Sequence, residues 1–218
     1  LGSIDELAVY NRALGKEELA AIFSAGIEGK CSSEANSCTA PPAGLLNWWR
    51  GDGPSDTSGD VAGAFRGAAK LGPGVVDGAF LLGGRNDAVA LPSSFHLPAQ
   101  EFTIEAWIKR SDSLHAGLPV LAGTLFGGSA KGLSFGLTDQ GQIYVSHIGT
   151  ANFYSTTALT DTSWHHVAVA RQGGNLRFYA DGALATTVPC TVEFDLNGPY
   201  AIGGLGTPYD GIAYGFLG

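Results

Sequence analysis

Hydrolysis of a glycosidic bond canonically uses two carboxylates flanking the scissile bond, one as nucleophile or base and the other as acid. The strand-like run 102–109 offers a single one, Glu105, with Lys109 closing the run. Glu105 therefore reads as a hydrogen-bonded structural residue. His165 and His166 could suggest metal or acid–base work, but neighbours on a strand point to opposite faces and cannot chelate one ion. Asp161, Ser163 and Asp181 do not assemble into a nucleophilic triad. No catalytic residue is assigned, and an enzyme is not expected.

Three cysteines are present, Cys31, Cys38 and Cys190. The first two bracket CSSEANSC, a polar stretch without strand or helix periodicity. In an oxidising compartment they would close a small disulfide loop. Cys190 is then free or is an alternative partner for either one, and two free linker thiols are the other reading. Sugar binding would need aromatic platforms beside polar groups. Tyr144, His147, Phe153, Tyr154, Tyr209 and Tyr214 are available, although most aromatics in a β-protein are core or cross-strand residues.

These residues must be positioned mainly by strands. Apolar and β-branched runs recur at 45–50, 78–82, 88–91, 102–109, 133–137, 143–147, 164–171, 176–179, 183–188 and 200–203, separated by Gly/Asp/Asn turns. Asp181-Gly182 is a strong two-residue hairpin signal, since both central positions need positive φ. One helix is expected over 16–25. Glu17 and Glu18 lie in its first turn, Leu19, Ile22 and Phe23 form an apolar stripe, and Gly26 stops it. The expected fold class is all-β, an antiparallel sandwich of jelly-roll type with one short helix near the N-terminus.

Composition agrees. The 218 residues include 33 glycines, only 15% are charged, and 44% are hydrophobic, a profile of many short strands and tight turns. The net charge of −8 argues against nucleic acid as a partner. No apolar run approaches the ~18–20 residues of a membrane helix, so no membrane insertion is expected.

The two ends read as parts of one motif. Overlaying the Leu-Gly of Leu217-Gly218 on Leu1-Gly2 gives YGFLGSIDELAVYNRALGKEELAAIFSAG, an uninterrupted strand followed by a helix. Three parts are therefore expected: a strand and helix over 1–26, a linker over 27–44, and a sandwich over 45–218 that lacks its closing strand. Ile4, Leu7, Val9 and Phe216 would complete it, from the same chain or from a neighbour.

Several segments together resemble the laminin-G-like, concanavalin A-type jelly roll of bacterial multidomain surface proteins. They are LLNWWRGDG, DTSGD, VVDGAFLLGGRNDAVALP, FTIEAWIKR, SWHHVAVARQGGNLRFYADGALA and AIGG. The usual closing motif is supplied only by joining Phe216 to residues 1–14. The resemblance implies an extracellular or cell-surface location and makes a structural Ca²⁺ a candidate. Its ligands would be Asp5, Asp52, Asp56 and Asp87, whose alternative role is turn formation. The function expected first is a non-catalytic repeat of a structural or adhesive protein or fibre, partnered by neighbouring copies. The alternative is a lectin-like module binding a polysaccharide or cell-surface glycan.

Overall fold

The computed structural model describes residues 2–31, 38–57, 61–83, 86–111, 118–123, 132–197 and 199–204. In chain order the elements are β1 (Gly2–Tyr10), α1 (Lys16–Ala25), β2 (Leu45–Trp49), β3 (Ala64–Arg66), β4 (Lys70–Pro73) and β5 (Gly78–Leu82). They continue with β6 (Ala88–Ala90), β7 (Phe102–Arg110), β8 (Leu118–Gly123), β9 (Leu133–Leu137), β10 (Gln142–His147) and β11 (Ala151–Ala158). The last four are β12 (Trp164–Gln172), β13 (Asn175–Ala180), β14 (Ala183–Pro189) and β15 (Tyr200–Ile202). The fold is the expected antiparallel sandwich.

One sheet has the order β14-β13-β12-β7-β1-β5-β4, with β2 also paired to β1. The other runs β11-β10-β9-β8-β15-β6-β3. Alternation along each strand sends one face into a shared core: Ile4, Leu7 and Val9 of β1 meet Phe80, Ile104, Ile108, Phe135, Val145, Val167, Val169 and Phe178 there. Strands β3, β4, β8 and β11 carry no clear alternating apolar signal and emerge only through pairing.

Strand β1 is central to its sheet. β7 runs along one side from Gly2 to Tyr10. On the other side β5 pairs with Gly2–Ile4 and β2 takes over at Leu7–Tyr10. The handover falls at a bulge between Asp5 and Ala8, where Glu6 has φ 55°. Exchanging β1 with another copy would require first withdrawing it from three partners. Phe216 lies outside the described residues.

The outer face of this sheet is covered in part by α1. Gly15 begins the helix, its N–H donating to Glu18, which also pairs with Arg12. Leu14 N–H donates to Thr103 Oγ1, and that hydroxyl donates to Arg12 O, so the entry to the helix is tied to β7. Leu19 and Ile22 then pack on Tyr10, Trp48, Ala168 and Tyr179 as a second apolar cluster. The Asp181-Gly182 turn has the expected positive φ values, 48° and 74°. A Cβ on Gly182 would lie 3.1 Å from the helix at Ala20 and Phe23.

The segment after α1 is held against the sheet rather than extended away from it. Cys31 and Cys38 form a disulfide, Lys30 bridges to Thr39, and the Lys30 side chain is buried. Cys190 is buried in the core and unbonded, so it is not the alternative disulfide partner.

Candidate functional site

Glu105 and His166 belong to a sealed polar network between the outer sheet face, α1 and the residue-30 segment. Lys30 Nζ donates to Glu105 Oε1 at 3.0 Å and lies 3.2 Å from Glu6 Oε2. His166 Nε2 donates to Glu105 Oε2 at 2.9 Å. Trp107 meets His166 edge-on and Phe23 lies tilted beside it, while Lys30 sits over the Trp48 ring. Burial pushes the Glu105 carboxyl up, but the Lys30 charge and the His166 hydrogen bond more than offset it and hold it below its ordinary value. Glu6 is also lifted by burial; Lys30 offsets that only in part, so its carboxyl stays above normal. Neither carboxylate faces solvent.

His165 points elsewhere, to Asp181 at 2.9 Å and Asp161 at 3.2 Å. The Asp181 hydrogen bond is the main reason its imidazole is held above its ordinary pKa. The two histidines thus serve separate partners.

The four candidate Ca²⁺ aspartates act as pins for separate loops. Asp5 Oδ2 accepts the N–H groups of Val75 and Val76 at 2.7 and 3.0 Å. Asp52 accepts from Gly78 N–H and faces Arg50. Asp56 accepts from Trp48 N–H and the Asn47 amide. Asp87 accepts from the N–H groups of Ala68 and Gly83. Ca²⁺ needs six to eight converging oxygens. No group of three or more acidic, histidine or cysteine side chains placed to hold a metal occurs among the described residues. Each aspartate thus holds a backbone segment away from its own turn, and no two of the four share a partner among these bonds.

Among the candidate aromatics, Tyr144 is buried with its hydroxyl 2.9 Å from Ser134 Oγ, and His147 packs edge-on against Phe194. Phe153 leans on the core. Tyr154 stands opposite Tyr144 and is 41% exposed. Tyr209 and Tyr214 lie outside the described residues.

A different surface gathers more binding chemistry. At one end of the first sheet a shallow cleft of 550 Å³ is lined by Ser3, Lys70, Leu81, Asp87, Lys109 and Arg110, among others. Registry explains it. Trp164 lies opposite Lys109, Lys109 opposite Ser3, Ser3 opposite Leu81, and Leu81 opposite Lys70. Residues opposed on antiparallel strands share a face. One row therefore crosses β12, β7, β1, β5 and β4 on the face away from the core, spanning four inter-strand steps of ~4.8 Å, about 19 Å. Trp164 is half-buried, Ser3 and Leu81 partly exposed, and both lysines exposed. Neither lysine has an ion-pair partner among the described residues. Arg110, by contrast, is buried and donates to the carbonyls of Leu159 and Asp139. Apart from Lys109 closing its strand, nothing in the sequence marks this row, because its members are brought together by long-range registry.

The sequence model described as the Concanavalin A-like lectin/glucanases superfamily, laminin-G type, matches residues 82–215. A comparison with curated proteins finds no match. Among solved structures, one similar chain is domain 4 of AbnA, a GH43 extracellular arabinanase from Geobacillus stearothermophilus, in complex with arabinotriose. The two are 15% identical with a TM-score of 0.55, covering 71% of this chain and 79% of that one. A glycoside hydrolase family protein from Mycobacterium thermorestibile is also 15% identical, with a TM-score of 0.37 over 68% of this chain and 69% of that one. With a core built from the two opposed sheets and a family match over more than half its length, the chain belongs to the laminin-G-like group of the concanavalin A-like lectin/glucanase superfamily.

Proposed function

We propose that this domain is a non-catalytic carbohydrate-binding module whose binding face is the row Trp164–Lys109–Ser3–Leu81–Lys70. The observation that carries this reading is the row itself. An indole, two ammonium groups without an ion-pair partner among the described residues and a hydroxyl share one open sheet face beside a cleft. An aromatic face packs on the apolar side of a sugar ring, while the surrounding donors meet its hydroxyls. The fold's likeness to a domain solved with arabinotriose makes a saccharide the natural ligand class to test. Glu105, the strand carboxylate closest in type to a glycosidase residue, is sealed under Lys30 and His166 and out of reach of a substrate. That supports binding without catalysis. A disulfide at Cys31–Cys38 suits an oxidising, extracellular setting.

Affinity electrophoresis through gels containing a panel of polysaccharides, arabinan among them, tests the reading. The native protein should be retarded by at least one polymer and Trp164→Ala should run free in that gel. Unretarded migration in every gel, or equal retardation of the variant, would contradict it.

A further inference from the structure

We infer that the cleft selects glycans bearing anionic groups, carboxylate or sulfate, over neutral ones; this rests on the carbohydrate-binding reading above. The protein as a whole is acidic, with a net charge of −8. Against that background, one cleft carries two exposed lysines on either side of a Ser3–Leu81 floor. Lys109 and Lys70 are separated by three inter-strand steps, about 14 Å. That spacing lets them meet charges on different residues of one chain rather than two oxygens of one group.

The remaining charges of the cleft leave the lysines free to act on a ligand. The Asp87 carboxylate is turned to the N–H groups of Ala68 and Gly83 at 2.7 and 2.9 Å. The Arg110 guanidinium is engaged by two backbone carbonyls. Unpaired ammonium groups in a concave, partly apolar surface give a local positive field that a negatively charged protein would otherwise lack. A neutral sugar would use the row only for stacking on Trp164 and for hydrogen bonds. A uronate or a sulfated sugar would add an ion pair at each lysine.

The test is affinity electrophoresis of the native protein and the Lys70→Gln/Lys109→Gln variant, with thermal unfolding confirming that the variant folds. Gels contain polygalacturonate or dextran sulfate, each matched to a neutral counterpart, highly methyl-esterified pectin or dextran. The native protein should be retarded more by an acidic polymer than by its neutral match. The variant should lose that difference, at about two- to five-fold weaker binding per lysine as expected for exposed ion pairs. Retardation by polygalacturonate alone assigns the carboxylate, by dextran sulfate alone the sulfate, and by both a general anionic preference. Acidic binding that survives in the variant overturns the assignment to this cleft. Binding to neutral polymers alone, or equally to both members of a pair, overturns the anionic selectivity and leaves the carbohydrate reading standing. No retardation of the native protein by any of these polymers, or by the wider panel above, overturns both.

Discussion

Lys30 brings its charge to the outer face of a β-sheet and makes the carboxylates around it tolerable. Its ammonium lies between Glu6 and Glu105, all three side chains fully or nearly fully buried. Removing one member of such a network leaves uncompensated buried charge. Lys30→Ala should therefore lose about 3–5 kcal/mol of stability in urea unfolding; a loss below ~1 kcal/mol would show that the network contributes little. Asp5 makes a second residue-scale prediction. Burial lifts its carboxyl from 3.8 to about 7 despite the Val75 and Val76 N–H groups. The folded state thus holds this proton more tightly than the unfolded chain, so the contribution of Asp5 falls as pH rises from about 4 through 7. At ~1.4 kcal/mol per pH unit the full effect is about 4 kcal/mol. Asp5→Asn should then gain Tm relative to the native protein at pH 8 and lose that advantage by pH 4. A constant Tm difference across that range would contradict it. Glu105 was legible in the sequence as a bonded structural residue because it stood alone on its strand. Lys30 was not, since it lies within the linker-like segment, just before the polar CSSEANSC stretch, and reaches Glu105 across 75 residues.

Among the elements, β1 has the greatest structural leverage. Ile4 and Leu7 are fully buried, and the strand is bonded on both sides. Leu7→Asp should destabilise the fold by several kcal/mol, because a charge would replace a core side chain. Deletion of residues 1–26 should give an aggregation-prone protein with open edges on β5 and β7, β2 without its sheet partner and an uncovered apolar slot. A truncated chain as soluble and heat-stable as the intact one would refute this. The Cys31–Cys38 loop should contribute about 2–3 kcal/mol by restricting the unfolded chain, and the Cys31→Ser/Cys38→Ser protein should show that loss in denaturant unfolding. The helix over 16–25 and the hairpin at Asp181-Gly182 were readable in advance, because caps, apolar stripes and turn chemistry are local. Strands β3 and β4 were not. β3 is exposed along its whole length and β4 along most of it, so partners rather than alternation create them. Lys70 on edge strand β4 also discourages pairing with other chains.

At the scale of the molecule, a sandwich with one sheet face covered in part by α1 leaves the end of that face beyond the helix open. The proposed binding row occupies that opening. Its members come from residues 3, 70, 81, 109 and 164, and only the assembled register shows that they share a line. The fold class was legible from strand spacing and family resemblance, whereas the site was not, because registry between distant strands leaves no local trace. The most direct measurement is a two-dimensional ¹⁵N–¹H titration of the intact protein with an oligosaccharide from the polymer that retards it. The account predicts shifts concentrated at the amides of Ser3, Lys70, Leu81 and Lys109 and at the Trp164 indole. Shifts centred instead on Asn152, Tyr154 and the opposite sheet, with this row unmoved, would contradict it.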